Sequence, residues 1–423
     1  MSQTEWSRRF MRSKSFQMFL LAVGILVIAG FGSARAGARQ ASSSDRVAQK
    51  SLARLRRSAP ASTKRKAAAK KPAGTQWNAA AREQFAEGQK LETKGRLNDA
   101  IVFYKKAVEL EPNWPEAHNA LGSAYSQLQK SNLAMLEYLR AIRLDPRNAD
   151  VRYNLGTLLR SEGNLDGAAK EFQKAIEIDP DNAGAHNDLG LTYAQQGKLG
   201  PAISEFRTGT RLEPGWAIVH DNLGNALAMS GDLNGAMNAY RNTIALKPDW
   251  AQPYNNLGNA LRQTGNLQAA VEQYQKALQL NPKYAAACNN LGLALQQEGN
   301  MDDAIKQYQR AIQLSPNYIT AHNNLAAAYY QKGNWKGAVS EYGQVLRIRP
   351  NDPVAHFNLG LTYKAAGDRK MALDQFRQAQ KLDPGNQQFQ LAYGALLKAS
   401  NNSETAKPDG GAATPHAGAV GPR

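Results

Sequence analysis

From residue 81 onwards, large apolar, small and polar residues return in a fixed order every 34 positions. Further into each unit, a small residue is followed four positions later by an aromatic ring, as in Ala134 with Tyr138 and Ala304 with Tyr308. Spacings of three, four and seven residues place side chains on one side of a helix. The pattern therefore predicts two amphipathic helices per unit. The first helix of each pair carries the recurring Leu121, Leu155, Leu189, Leu223, Leu257, Leu291, Leu325 and Leu359.

Glycine and proline mark the predicted helix ends. A proline cannot continue a helix, so the nine prolines that stand 34 residues apart, from Pro112 to Pro384, are expected just past each second helix. Glycines such as Gly163 and Gly265 stand between the two helices and are expected to be left-handed caps. Gln129 replaces this glycine in the second unit. Nine units fill residues 81–386, and the first-helix pattern continues over 387–400 as a capping helix.

The period of 34, with Leu-Gly, Ala, an aromatic and Pro at fixed positions, resembles the tetratricopeptide repeat. The resemblance covers residues 81–386. It implies an all-α fold, a right-handed α-solenoid of nine 34-residue helix-turn-helix repeats plus a C-terminal capping helix. It also implies that the first helices line a concave groove. Stacked repeats of this kind depend on their neighbours for stability.

The N-terminus has the composition of a targeting segment. A basic region, residues 1–15, precedes an apolar run within 16–34, and Ala34-Arg35-Ala36 offers a small-residue cleavage site. Two interpretations stay open, a cleaved signal peptide and a retained membrane anchor. The predicted location is accordingly membrane-anchored or periplasmic, in a bacterial-type envelope. Residues 35–80 read as a basic Ala/Lys/Arg-rich linker, and residues 401–423 read as a disordered tail.

The charge lies almost entirely in this N-terminal region. The whole chain has a net charge of +17, of which residues 1–75 contribute +14. The high isoelectric point is thus no argument that the repeats bind nucleic acid. One hypothesis is that the basic linker binds a polyanion or a membrane surface. A single cysteine, Cys288, excludes an intrachain disulfide.

One stripe of the first helices carries an unusual amide series. The residue just before the leucine is polar in seven units, although asparagine costs up to about 0.7 kcal/mol against alanine inside a helix. A carboxamide pairs with both the N–H and the C=O of a peptide. The stripe therefore predicts a peptide-binding ladder, formed by Asn154, Asp188, Asn222, Asn256, Asn290, Asn324 and Asn358.

The ladder is similar to that in the superhelix of O-linked N-acetylglucosamine transferase, where the resemblance implies that groove asparagines hold a polypeptide backbone. The alternative is that each asparagine merely bonds to the backbone of the neighbouring repeat. Asn119, Asn187, Asn255, Asn289 and Asn323, one residue earlier, are expected to make flanking or stacking contacts.

No catalytic or cofactor motif is present in the sequence. His118, His186, His220, His322 and His356 share one repeat position, but that spacing is too wide for a common metal ion. The sequence thus predicts a non-enzymatic scaffold without cofactor or metal, with a protein or peptide ligand in the groove. The segment 16–34 would contact the membrane if it is retained. The alternative function is a substrate-presenting accessory of a separate glycosyltransferase.

Overall fold

The computed structural model describes residues 77–405. Over this range the chain forms nineteen helices and no strand. The helices belong to two compact units that divide after Asp249. The predicted segments 1–15 and 16–34, most of 35–80 and the end of the tail lie outside the described residues. Among residues 77–405, no helix combines the length and the apolar composition needed to cross a membrane.

Unit 1, residues 77–249, holds five helix pairs. Their bounds are α1 Ala79–Thr93, α2 Leu97–Leu110, α3 Pro115–Gln127, α4 Ser131–Leu144, α5 Ala149–Ser161, α6 Leu165–Ile178, α7 Ala183–Gln195, α8 Leu199–Leu212, α9 Ala217–Ser230 and α10 Leu233–Leu246.

Unit 2, residues 250–405, holds four pairs and a last helix. Their bounds are α11 Ala251–Gln263, α12 Leu267–Leu280, α13 Ala285–Gln297, α14 Met301–Leu314, α15 Ile319–Gln331, α16 Trp335–Ile348, α17 Pro353–Ala365, α18 Arg369–Leu382 and α19 Gln387–Thr405. The all-α repeat architecture is thereby confirmed. The capping helix, α19, continues five residues beyond the predicted end at 400.

The glycines and prolines act as the sequence predicts. The turn glycines, Gly163 and Gly265 among them, adopt positive φ values of 76° and 84°. Gln129 takes the same place with φ of 56°, which makes it the one non-glycine residue with positive φ between residues 77 and 405. Each second helix from α2 to α18 ends two residues before its proline.

The core of each pair is a ring packed on a small residue. Tyr308 on α14 is fully buried, and a Cβ atom placed on Gly292 of α13 would lie 2.6 Å from its ring. The same fit joins Gly156 with Phe172 and Gly258 with Tyr274, at 2.8 and 2.7 Å. The recurring glycine is therefore retained because the two helices cross too closely for a larger residue.

Within each unit the first helices form an inner face. Consecutive first helices contact one another from α3 to α9 in unit 1 and from α11 to α15 in unit 2, whereas the second helices do not approach each other as closely. The shorter side of a curved stack is the concave one. We therefore define the inner face of a unit as the side of its first helices on which the predicted amide stripe lies.

Candidate functional site: the inner face of the first helices

The predicted ladder residues bond to the preceding repeat. Asn324 Nδ2 donates to Asn289 Oδ1 at 2.8 Å, and Asn290 Nδ2 donates to Asn255 Oδ1 at 3.0 Å. In unit 1 the same bond joins Asn222 to Asn187 at 2.9 Å and Asn154 to Asn119 at 3.0 Å. In these four repeats the asparagine pair is thus a junction between neighbouring first helices. The bond goes to a side chain of the neighbouring repeat, whereas the alternative from the sequence was a bond to its backbone.

Asp188 interrupts the amide series because its partner is different. The residue that corresponds to Asn119 or Asn255 in the preceding repeat is Tyr153, whose hydroxyl donates to Asp188 Oδ2 at 2.9 Å. A carboxylate is a better acceptor for that hydroxyl than a carboxamide. Arg160 lies 3.5 Å from Asp188 Oδ1. The two positions therefore change together, as expected of groups that contact each other.

The junctions of unit 2 are linked in series. Asn289 Nδ2 also donates to Asn290 Oδ1 at 3.3 Å, and Asn255 Nδ2 donates to Asn256 Oδ1 at a longer 3.5 Å. Carboxamides from α15, α13 and α11 thus form one continuous chain of hydrogen bonds. Asn358 on α17 is different, since its side chain makes no such bond to the preceding repeat among the contacts of the described chain.

The ladder residues keep part of their capacity. An asparagine side chain has two donors and two acceptor lone pairs. The junction bond uses one donor, which leaves further hydrogen-bonding capacity on Asn154, Asn222 and Asn290, whose side chains are half-buried. Asn324 and Asp188 are buried. The two groups of residues therefore differ in how far a ligand can reach them.

Further along the stripe, tyrosines of the second helices hold the amides in place. Tyr240 donates to Asn225 Oδ1 at 2.9 Å, and Tyr274 donates to Asn259 Oδ1 at 2.8 Å. Sequence reasoning missed these bonds, although an aromatic that is so often tyrosine was a signal for them. Beyond them lie the exposed amides Gln263, Gln297 and Gln331.

Two arginines of the inner face have a buried donor without an acceptor. Arg160 Nε and Arg262 Nε have no hydrogen-bond partner within the described structure, and they occupy equivalent positions in units 1 and 2. Buried polar groups are nearly always paired, so an orphan donor indicates an absent acceptor. A peptide carbonyl or a water molecule would satisfy it.

The two units differ in the charge of their first helices. In unit 1 these helices carry seven Asp or Glu and four Lys or Arg. In unit 2, α11, α13, α15 and α17 carry no Asp or Glu, and their only charged side chains are Arg262 and Lys364.

The charges on the two inner faces act in opposite directions on the pKa values of nearby tyrosines. Burial, together with the negative charge of Asp188, raises the pKa of Tyr153 to about 12. Burial also raises the pKa of Tyr274 to about 12, but there the Arg262 guanidinium opposes the shift.

The histidine row makes structural hydrogen bonds between the loop and the second helix. In His322, Nδ1 lies 2.6 Å from Glu341 Oε2 and Nε2 lies 2.9 Å from the carbonyl oxygen of Pro316. His118 and His186 make the same bridge from the loop to the second helix. In another repeat Arg152 bonds to both Pro146 O and Glu171. No group of potential metal ligands occurs within residues 77–405.

Comparison with known families identifies the repeats. A family model described as the TPR repeat matches residues 88–129, 156–197, 224–263, 258–299, 295–333 and 327–367. These ranges make up more than half of the chain. Further tetratricopeptide repeat models match residues 115–148, 137–170 and 353–386. The chain belongs to the tetratricopeptide repeat family. As such it is a repeat scaffold for protein–protein interaction.

Several solved structures resemble parts of the chain. MamA is 29% identical and covers 38% of this chain and 95% of its own, with a TM-score of 0.37. YrrB, described as a TPR protein with an unusual peptide-binding site, is 23% identical over 44% and 95%, with a TM-score of 0.39. PilF of Pseudomonas aeruginosa is 22% identical over 51% and 97%, with a TM-score of 0.44. A search of curated protein sequences finds no match.

Proposed function

We propose that the protein is a non-enzymatic scaffold that binds an extended segment of a partner protein along the inner faces of its first helices. The observation that carries the proposal is the composition of the inner face of unit 2. It is a row of amide side chains with no acidic residue, and it includes a buried arginine donor, Arg262 Nε, that lacks an acceptor. Amides and such donors pair with main-chain groups, which every polypeptide offers.

The ladder residues have two different roles in this proposal. The half-buried Asn154, Asn222 and Asn290 bind the peptide through the groups that their junction bonds leave over. The half-buried Asn256 and Asn358 bind it as the other two members of the stripe. The buried Asn324 and Asp188 act through the junctions, by setting the spacing between neighbouring first helices. The exposed Gln263, Gln297 and Gln331 make the outer contacts with the ligand.

Site-specific photocrosslinking tests the proposal. A photoreactive amino acid replaces Gln263, Gln297 or Gln331, one at a time, in the full chain within the cells that express it. We expect adducts at all three positions, with mass spectrometry assigning them to one extended segment of one partner.

The matched control uses the same residue type on the second helices. Gln275, Gln279 and Gln309 are exposed on α12 and α14, away from the inner face. Adducts that form equally well at these positions, or at none of the six, would remove the inner face as the binding site.

We further propose that the repeats are exported or held at a membrane by the segment 16–34. The basic region followed by an apolar run in the sequence supports this. N-terminal sequencing of the mature protein tests it. A new N-terminus near residue 37 means export with cleavage, whereas an intact N-terminus in the membrane fraction means anchoring. An intact protein in the soluble fraction contradicts both.

A further inference from the structure

The inner face of unit 1 has a negative character that the inner face of unit 2 lacks. Asp188 and Asp221 are both buried there, and Asp150 is exposed one helical turn before Asn154 on the same stripe. Glu92 on α1 also lies between first helices, since it accepts a hydrogen bond from Gln127 of α3 at 2.9 Å. Acidic groups thus occur on this face at α1, α5, α7 and α9.

The neighbours of Asp188 offset its charge only in part. Asp188 accepts hydrogen bonds from the neutral Tyr153 and Asn187, and it forms a salt bridge of 3.5 Å with Arg160. Asn225 donates to Asp221 at 3.0 Å. The negative charge of Asp221 also adds to the rise of the Tyr240 pKa that burial causes. The first helices of unit 1 carry seven Asp or Glu against four Lys or Arg, so a negative excess remains and the face attracts cations.

The chain itself carries a segment of the opposite charge directly before this face. Residues 46–71 contain ten Lys or Arg and no Asp or Glu. Only five residues separate Lys71 from Trp77, where the described structure begins. A tethered ligand has an effective concentration in the millimolar range when its linker spans the distance. A basic ligand of unit 1 from any other source therefore competes with this segment.

The length of the segment suits the face. An extended chain covers at most about 3.3–3.6 Å per residue, so residues 46–71 can span up to about 85–95 Å. Packed helices lie roughly 8–10 Å apart, which makes the path across the first helices from α1 to α9 on the order of 40 Å. The segment is long enough to follow the whole inner face of unit 1 after turning back at α1.

From charge, connectivity and length, we propose that the inner face of unit 1 binds the chain's own basic segment, residues 46–71. A partner must displace that segment to reach unit 1. The inference rests on the proposed function, because it takes the inner face to be a peptide-binding surface. It adds that unit 1 is selective for Lys/Arg-rich sequence and is occupied in cis.

The test measures binding of a fluorescent synthetic peptide of residues 46–71 to the full chain in detergent micelles at low salt. In one variant, every Lys and Arg of 46–71 is changed to Gln. We expect this variant to bind the peptide at least tenfold more tightly than the wild type, because the internal competitor is gone. Equal affinities would overturn binding in cis and leave the face open to basic segments of other proteins.

A second change locates the binding site. Asp150→Asn, Asp188→Asn and Asp221→Asn are added to that variant. Asparagine occurs naturally in other repeats at the positions of Asp188 and Asp221, so the fold tolerates it there. We expect a loss of affinity of tenfold or more. The matched control Glu109→Gln, Asp179→Asn and Glu213→Gln removes equal charge from exposed sites on or just after second helices and should bind as before. An equal loss of affinity in both variants would mean that net charge alone attracts the peptide, and it would overturn the proposed site.

Failure of this inference is distinguishable from failure of the proposed function. The crosslinks at Gln263, Gln297 and Gln331 lie in unit 2 and do not depend on residues 46–71. If those crosslinks form but the basic peptide does not bind, only the inference is wrong. If neither is seen, the inner face is not a peptide site.

Discussion

At the scale of single residues, the asparagine pairs show why a poor helix former recurs in the first helices. Asparagine is a poor helix former, yet it recurs early in the first helices. The junction bonds supply the reason, because each pair joins two repeats where alanine would join none. A neutral hydrogen bond contributes about 0.5–1.5 kcal/mol, which offsets the lower helix propensity. The residues are thus explained by stacking before any ligand is considered.

Asn324→Ala is expected to destabilise the protein, and Asn358→Ala is not. The first change leaves the buried Asn289 Oδ1 without its donor, which costs about 1–3 kcal/mol against a gain in helix propensity of up to about 0.7 kcal/mol. Asn358 makes no junction bond, so its replacement by alanine only improves helix propensity. Urea denaturation followed by circular dichroism compares the two. Equal effects would contradict a role for the junctions in stability.

Gln129→Gly is expected to stabilise the protein by about 0.5–1 kcal/mol. Gln129 has φ of 56°, a left-handed conformation that costs a residue with a Cβ atom about 1–2 kcal/mol. Glycine adopts it without strain but loses more entropy on folding, so only part of the strain is recovered. The thermal midpoint should rise. The same substitution at Gln127, the last residue of α3, serves as the control. It should lower the midpoint, because glycine is a poorer helix former and the hydrogen bond from Gln127 to Glu92 is lost.

At the scale of helices, the pairing of glycine and ring sets the distance within each repeat. Gly292 meets the Tyr308 ring, and Gly88 meets the Tyr104 ring, in the same way. Within residues 77–405, α19 has no second helix packed on it as a pair partner, and a Cβ atom on Gly394 would meet nothing within 4 Å. The described residues thus offer a glycine that contacts a ring and one that does not, which permits a matched comparison.

Gly292→Ala is expected to destabilise the protein by about 1 kcal/mol, whereas Gly394→Ala should stabilise it by a similar amount. The new methyl group of the first variant overlaps the Tyr308 ring, a strain of about 1–3 kcal/mol, less roughly 1 kcal/mol gained in helix propensity. In the Gly394→Ala variant the methyl group overlaps nothing, so only the gain in helix propensity remains. Denaturation midpoints measure both, and a gain at Gly292 would show that the helices have room to spare.

The sequence predicted the helices more fully than the inner face. The 34-residue period placed every repeat, because the small, aromatic and proline positions depend on packing within a pair. It left two roles open for Asn290, because one stripe of a helix both faces the groove and borders the next repeat. The pairing of Tyr153 with Asp188 spans 35 residues, so no local pattern could predict it.

At the scale of the whole molecule, the repeat connectivity keeps contacts between neighbours. Each first helix packs on its own second helix and on the second helix before it within the same unit. The stability of such a chain is approximately a sum of repeat terms and nearest-neighbour terms. Damage to one core is therefore expected to stay local, unlike in a globular domain with a single core.

Tyr308→Ala tests this expectation. The side chain is fully buried, so its removal should cost about 3–5 kcal/mol. We expect amide hydrogen exchange to accelerate in α13 to α16, while α3 to α6 keep their protection. Tyr104→Ala, at the equivalent position of α2, should give the reciprocal result. Amide hydrogen exchange should accelerate in α1 to α4 and stay unchanged in α13 to α16. In a nearest-neighbour stack, the loss of a core contact affects only the adjoining helices. Exchange that accelerates evenly along the chain in either variant would therefore mean that the repeats unfold as one cooperative body.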